Sequence, residues 1–224
     1  MAINLRSTST VASDGLKVLV YAGSGAGKTT LIGSLPSPII ISAEAGLLSL
    51  ADLDIPFIEV TNMDSLKEAY QFVASKEAAE FKSVAIDSIS EIAEVVLSAE
   101  KKIAKDVRMA YGQLQEQVTD LIRAFRDLSG KNVYMSAKME KAQDEHGRMM
   151  YQPAMPGTKL GQQLPFYFDE VFCLRVEKNE EGKIVRMLQT EADPSYVAKD
   201  RSGKLDLWEQ ADLSYVINKI AGAK

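Results

Sequence analysis

The stretch Ala22-Gly23-Ser24-Gly25-Ala26-Gly27-Lys28-Thr29 matches the phosphate-binding loop pattern G-x-x-x-x-G-K-[ST] at every position but the first, where Ala22 replaces glycine. A small residue suffices at that position, because it needs only to allow a tight turn out of a strand. The apolar run at residues 16–21 predicts a buried strand before the loop, and residues 28–35 predict a helix that Pro36 ends. The stretch therefore predicts a strand, a P-loop and a helix in succession.

The chemistry of such a loop depends on its backbone and on two side chains. Glycines let backbone N–H groups turn inward around phosphate oxygens. Lys28 is predicted to reach the β- and γ-phosphates, and the hydroxyl of Thr29 to complete the shell of a magnesium ion. The sequence thus predicts ATP and Mg²⁺ as cofactors. The predicted nucleotide-binding residues are Gly23, Ser24, Gly25, Ala26, Gly27, Lys28, Thr29 and Thr30.

Strand-like and helical patterns alternate along the rest of the chain. Short apolar runs typical of strands occupy residues 39–41, 57–60, 83–87 and 132–136, and long helical patterns occupy residues 91–105 and 111–128. Two late strands at residues 166–176 and 184–190, a hairpin turn at residues 179–182 and a closing helix at residues 207–221 follow. This order predicts an α/β fold with a largely parallel sheet flanked by helices and late antiparallel strands. We expect residues 1–15 to form a flexible arm and residues 16–224 a single domain.

Hydrolysis at a P-loop also requires a metal-ordering carboxylate and a group that orients the attacking water. Asp87 ends an apolar strand, and we predict that it orders the metal, although an aspartate in this position can also be a helix cap. Two glutamates are candidates for the catalytic base. Glu44 follows an independent buried strand and is preferred, whereas Glu91 lies one helical turn beyond Asp87 and has the alternative role of stabilising a helix N-terminus.

Composition limits the classes of protein to consider. The chain has 224 residues, 46% of them hydrophobic and 25% charged, as in ordinary soluble proteins. No run approaches the roughly 20 apolar residues of a membrane span, the N-terminus lacks a signal-peptide core, and the lone Cys173 cannot form an intramolecular disulfide. We therefore expect a protein of the cytoplasm, that of a bacterial host if a phage encodes it, with no membrane partner.

Charge is distributed unevenly along the chain. The net charge of −5 argues against a protein that coats nucleic acid generally. Residues 101–160, however, carry eleven Lys and Arg against seven Asp and Glu. This local excess is either a surface for a partner or the solvated face of helices.

These motifs together resemble the RecA-like branch of P-loop ATPases. In that branch a glutamate follows the strand after the P-loop helix, as Glu44 does here, and an acid ends a later apolar strand, as Asp87 does. The segment at residues 197–203 is similar to the Lys-x-Arg-x-Gly stretch of RecA-like and DnaB-type hexameric ATPases. More narrowly, residues 16–206 resemble the phage-encoded AAA-type nucleotide-binding family that includes the Sak group of single-strand annealing proteins.

The resemblance implies roles for further residues. Lys199 and Arg201 would act on the γ-phosphate bound by a neighbouring subunit, although this segment also has good turn composition. The loop after the strand at residues 132–136 would face a central channel, and its region, residues 138–165, reads as irregular. Basic grooves with aromatic platforms bind single strands. The predicted DNA-binding residues are Lys138, Lys141, Arg148, Tyr151 and Lys159. Ser136 and Lys138 are also placed to sense the γ-phosphate.

The leading hypothesis is a RecA-like ATPase that assembles into a ring or short filament and binds single-stranded DNA during phage recombination or annealing. Its nucleotide would lie at subunit interfaces, and a single-strand DNA-binding protein would be a further partner. A second hypothesis is a nucleotide-dependent switch or loader whose target is another protein. A small-molecule kinase is a third, disfavoured because residues 138–165 contain one arginine rather than an arginine-rich lid.

Overall fold

The computed structural model describes residues 14–44, 46–143 and 147–222, and its strands form one mixed sheet. Most of the predicted N-terminal arm lies outside the described residues. The strands are β1 (Lys17–Ala22), β2 (Pro38–Ser42), β3 (Phe57–Glu59), β4 (Ser83–Asp87), β5 (Asn132–Gln143), β6 (Met149–Ala154), β7 (Glu170–Lys178), β8 (Ile184–Gln189), β9 (Lys199–Asp200) and β10 (Trp208–Gln210). Their order across the sheet is β10-β8-β7-β1-β5-β4-β2-β3, with β6 paired to β5 and β9 to β7.

The central part of the sheet is parallel, and its late strands are antiparallel. The six strands from β7 to β3 in this order run parallel, whereas β6, β8, β9 and β10 pair antiparallel to their neighbours. The predicted fold class is therefore confirmed. The physical basis is the run of β-branched and apolar residues in β1, β2 and β4, which are buried on both faces of the sheet.

Helices cover both faces of the sheet and make two cores. They are α1 (Lys28–Ile32), α2 (Met63–Ala74), α3 (Ile89–Ile103), α4 (Val107–Arg126), α5 (Thr158–Gln163) and α6 (Leu213–Ala221). Alternate residues of β1 point to opposite faces, so Leu19 and Tyr21 pack in the core with α2, α3 and α4. Val18 and Val20 pack in the other core with α1 and α6.

The region predicted as irregular, residues 138–165, instead contains two paired antiparallel strands. β5 continues beyond the central strands to Gln143, and this extension pairs with β6. Lys138 pairs with Ala154 at one end and Gln143 with Met149 at the other. We call the described residues of this strand pair, 138–143 and 147–154, the arm, as distinct from the predicted N-terminal arm. Its strands lack the β-branched alternation of the central strands, so the sequence pattern did not reveal them. Pairing between the two strands supplies the backbone hydrogen bonds that hold the arm.

Two boundaries near the C-terminus also differ from the predictions. Residues Leu164–Tyr167 form a 3₁₀ turn, so the predicted strand at residues 166–176 begins only at Glu170. The predicted closing helix at residues 207–221 begins only at Leu213, because Trp208–Gln210 pairs with β8 and Asp212 caps the helix. Periodicity alone cannot separate a short edge strand from the first turn of an adjacent helix.

A buried carboxyl lies at the edge where the parallel strands begin. Glu170, the first residue of β7, has no exposed surface, and its Oε2 has no hydrogen-bond partner among the described residues. Burial, with a smaller contribution from the neighbouring Asp200, raises the pKa of Glu170 to about 8. Glu170 is therefore protonated at neutral pH, which removes the cost of an isolated buried charge.

This shift predicts that stability falls as pH rises. The folded protein keeps a proton on Glu170 that the unfolded chain releases above its ordinary pKa of 4.5, so the free energy of unfolding decreases between pH 4.5 and about 8. At about 1.4 kcal/mol per pKa unit, we expect a decrease of about 4 kcal/mol between pH 5 and 8.5. Urea unfolding from pH 5 to 8.5 measures it. Glu170→Gln should flatten the profile, whereas Glu68→Gln, at an exposed position of α2, should not. Equal slopes for wild type and Glu170→Gln would contradict the prediction.

Candidate nucleotide-binding site

The P-loop leaves β1 at the edge where the parallel strands end. Gly25 and Gly27 have φ values of 72° and 107°, which only glycine adopts without strain. Within the described chain, the backbone N–H groups of Gly25, Gly27 and Lys28 find no acceptor. Ala22, the residue that departs from the pattern, is the buried last residue of β1. The loop thus presents several unpaired donors in one place, which suits an anion such as phosphate.

Lys28 begins α1, and its amine lies inside the loop. Nζ donates hydrogen bonds to the carbonyl oxygens of Ala22 and Gly23, both at 3.1 Å. Burial lowers the pKa of Lys28, and the nearby carboxylates of Asp87 and Glu44 raise it in part. The three side chains therefore share one electrostatic environment although the sequence separates them widely.

Thr29 and Asp87 meet at the site. Thr29 Oγ1 donates to Asp87 Oδ2 at 2.6 Å, and the hydroxyl of Ser136, from β5, donates to Asp87 Oδ1. Asp87 is 3% exposed and ends β4, which neighbours β5 in the sheet. The structure thus brings Thr29, Asp87 and Ser136 together, with both hydroxyls on the Asp87 carboxylate.

Glu44 and Glu91 have different surroundings. Glu44 follows β2, and the hydroxyl of Ser88, the residue after Asp87, donates to its carboxylate. Glu91 lies in the first turn of α3, and Lys138 Nζ donates to it at 2.7 Å. Glu44 therefore lies beside the Asp87 and Lys28 side chains, whereas Glu91 is engaged in an ion pair.

The residues present fit a magnesium ion. Protein sites for Mg²⁺ generally supply one or two oxygen ligands and leave the rest to phosphate and water. Thr29 and Asp87 provide such oxygens at hydrogen-bond distance from each other. Within the described residues no cluster of three or more His, Cys, Asp or Glu forms a metal cage, so this pair is the arrangement to consider.

The predicted DNA-binding residues lie on or next to the arm. Lys141 and Arg148 are exposed, and Lys159 lies beyond the arm on α5, also exposed. Lys138, at the base of the arm, also donates to Glu94 at 3.1 Å. This contact and the pairing with Glu91 raise its pKa. Lys138 is thus partly neutralised, in contrast to its predicted part as a phosphate contact.

Tyr151 belongs to a row of side chains that crosses several strands. Lys141 is its register partner in β5, with Nζ 5.5 Å from the ring centroid. On its other side Tyr151 bridges Tyr196, and the two rings stack at 4.8 Å. Arg175 of β7 lies 4.0 Å from the Tyr196 ring. We call Lys141, Tyr151, Tyr196 and Arg175 the ladder. Because neighbours lie on both sides of Tyr151, a base could stack on it only after Lys141 moved.

The ladder reaches the P-loop. A cavity of about 400 Å³ lies between the loop and the end of β7. The residues lining it include Gly23, Ser24, Gly25 and Ala26 of the loop, together with Met139, Arg175 and Tyr196. Arg175 and Tyr196 therefore belong both to the ladder and to the lining of this cavity. Met139 of the arm and residues 23–26 of the P-loop also line it.

Lys199 and Arg201 lie at the opposite edge of the sheet. β9 pairs with the first residues of β7, which in turn pair with the start of β1. β1, which has six residues, runs from this edge to the P-loop edge, so the two edges lie about 20 Å apart. Arg201 Nη1 pairs with Asp169 at 2.9 Å, and Lys199 Nζ donates to the carbonyls of Pro165 and Phe168. Neither side chain contacts the P-loop of its own chain.

Comparison with known families agrees with this geometry. A family model described as an AAA domain matches residues 14–202, most of the chain. The chain belongs to the AAA-domain family. A search of curated proteins finds no match. As an AAA-type ATPase domain, the protein binds and hydrolyses nucleotide.

Three residues of this AAA domain escaped sequence reasoning. Arg175 and Tyr196 complete the ladder, and Arg186 of β8 donates from Nε to the carbonyl oxygen of Ala26 at 2.9 Å. No local motif marks them, because each acts on a residue that is distant in sequence.

In the described parts of the chain, no helix is both long and apolar enough to cross a membrane.

Proposed function

We propose that this AAA-domain protein is a RecA-like, magnesium-dependent ATPase that assembles head to tail and acts on single-stranded DNA in phage recombination or annealing. The observation that carries the proposal is the constellation of Lys28, Thr29, Asp87 and Glu44 at one sheet edge. It combines a phosphate cradle with two carboxylates of different surroundings, which is what hydrolysis at a P-loop requires.

Each residue has a distinct part in the proposed reaction. Lys28 would exchange its two carbonyl contacts for β- and γ-phosphate oxygens. Thr29 and Asp87 would hold Mg²⁺, which offsets the phosphate charge, and Ser136 would keep the Asp87 carboxylate oriented. Glu44, itself oriented by Ser88, would accept the proton of the attacking water.

The position of Arg201 supports an assembled active site. An arginine about 20 Å from its own P-loop cannot reach the nucleotide bound there, so an active-site role for Arg201 requires a second subunit. Joining one edge of a subunit to the opposite edge of the next is a heterologous contact, and such contacts repeat into rings or filaments. Arg201 would then leave Asp169 for the phosphate. The two carbonyl contacts of Lys199 suit a part in holding β9 in place.

The arm supports the DNA part of the proposal. It extends from the same sheet edge as the P-loop, and Lys141 and Arg148 are exposed on it. Met139 of the arm lines the same cavity as residues 23–26 of the P-loop, so DNA bound on the arm has a physical route to alter turnover. A single-strand DNA-binding protein is a further proposed partner.

Three observations favour a second function, a nucleotide-dependent switch or loader with a protein target. Lys138 is paired with two glutamates, and Tyr151 has neighbours on both sides. The chain is also acidic overall, and affinity for nucleic acid depends on cationic contacts.

ATP turnover measured with and without a single-stranded oligonucleotide, over a salt series, separates the two functions. The DNA proposal predicts stimulation of at least about threefold that fades as salt rises, because phosphate contacts are screened. Lys141→Gln should lose most of that stimulation and keep basal turnover. Lys67→Gln, on exposed α2 away from the arm, is the matched control and should leave the stimulation unchanged. Turnover indifferent to the oligonucleotide would reject the DNA role and favour the protein switch.

A further inference from the structure

The carbonyl contact of Arg186 lies on the outside of the P-loop. In a trans peptide the C=O of one residue and the N–H of the next point in opposite directions. Arg186 Nε binds the carbonyl oxygen of Ala26. The N–H of Gly27, which belongs to the same peptide unit, therefore points away from Arg186, into the loop. A hydrogen bond to this carbonyl fixes the orientation of a phosphate-facing donor.

The arginine also packs against the loop. A Cβ atom placed on Gly27 would lie 3.0 Å from Arg186 Nε and 3.3 Å from its Cδ. The end of the Arg186 stem thus packs against Gly27, whose φ of 107° only glycine adopts without strain. Close contact and a hydrogen bond together restrict the Ala26–Gly27 peptide.

Arg186 itself is held by the rest of the fold. It lies in β8, whose partner β7 pairs in turn with β1, the strand that leads into the P-loop. Its guanidinium makes this hydrogen bond and no ion pair within the described chain. A guanidinium donor to a carbonyl also polarises the peptide, which strengthens the N–H on its far side.

We infer that Arg186 is a positioning residue for nucleotide binding: from outside the P-loop, it holds the Ala26–Gly27 peptide with its N–H turned toward the phosphates. The β7–β8 hairpin is thereby an external support of the loop. The inference rests on the nucleotide-binding part of the proposed function and not on its DNA part. Because Arg186 acts on loop geometry rather than through its charge, its removal should weaken nucleotide affinity equally at low and high salt. A direct phosphate contact would instead lose importance as salt rises.

The test is the affinity for ATP and ADP, measured by displacement of a fluorescent nucleotide at 50 and 500 mM salt. Arg186→Met keeps the stem but removes the donor, and we expect an affinity loss of about tenfold for both nucleotides at both salt concentrations. Arg186→Lys keeps a donor and should lose less than about threefold. Lys183→Met, which removes a cation from the same hairpin, is the matched control and should bind like wild type.

Three results would overturn the inference. The first is affinity within twofold of wild type for Arg186→Met. The second is a loss that disappears at high salt, because that would be a long-range charge effect. The third is an equal loss in the Met and Lys variants. If the wild type itself fails to bind nucleotide, both the inference and the proposed function are overturned. If the wild type binds and one of the three results above is found, only the inference is overturned.

Discussion

Replacing Glu44 with glutamine is expected to reduce ATP turnover by about 100-fold or more while ATP affinity stays within about threefold of wild type. The reason is the position of the carboxylate. Ser88 donates to it, and it lies close enough to Lys28 to raise the pKa of that amine. Glutamine keeps the shape and the hydrogen bond but cannot accept a proton from water. Single-turnover hydrolysis and equilibrium binding measure the two quantities separately.

Glu91→Gln is the matched control for this experiment. Glu91 is the other candidate base, but its carboxylate is engaged by Lys138 at 2.7 Å. We expect the ATP turnover of the Glu91→Gln variant to stay within about threefold of wild type. If Glu91→Gln stops turnover and Glu44→Gln does not, the assignment of the base is wrong. If both variants lose ATP affinity in parallel with turnover, neither residue acts on the chemical step.

Arg201→Ala is expected to lower the turnover of assembled protein by at least about 100-fold, because an arginine supplied by a neighbour neutralises charge that develops on the transferred phosphoryl group. Affinity for nucleotide in the isolated subunit should not change, since Arg201 lies at the edge of the sheet remote from its own P-loop. Turnover as a function of protein concentration, with assembly followed by light scattering, measures the effect.

Mixing variants tests whether Arg201 acts between subunits. Arg201→Ala and Lys28→Ala proteins are each expected to be inactive, and their mixture should regain part of the activity. Some interfaces in the mixture pair an intact P-loop with an intact arginine. Asp169→Asn breaks the ion pair with Arg201 but leaves the guanidinium, and it should remain active. No recovery in a mixture that still assembles would contradict action in trans.

Much of the nucleotide site could be predicted because its parts are local in sequence. Gly25 and Gly27 are needed for their own backbone conformations, and Lys28 and Thr29 follow them directly. Asp87 could be predicted because it ends an apolar run, and parallel strands bring their ends to one edge. The choice between Glu44 and Glu91 could not be predicted with the same force. It depends on Ser88, whose hydroxyl donates to the Glu44 carboxylate, and on Lys138, whose amine pairs with the Glu91 carboxylate.

The arm and its ladder could not be predicted from periodicity. Residues of the arm alternate without a clear apolar face, so only pairing between β5 and β6 reveals two strands. Tyr151 was predicted as a platform for bases, but the strand register places Lys141 on one side of it and Tyr196 on the other. Side-chain neighbours across strands depend on register, which a linear pattern does not contain.

The P-loop was determined by the sequence itself, since a glycine pattern encodes a backbone conformation wherever the chain allows a strand before it and a helix after it. Its surroundings were decided by the tertiary structure. Arg186 reaches Ala26 across 160 residues, and Arg201 is carried to the opposite sheet edge by the pairing of β9 with β7. Such contacts follow from strand order and register, because these set which distant residues become neighbours once the core is buried.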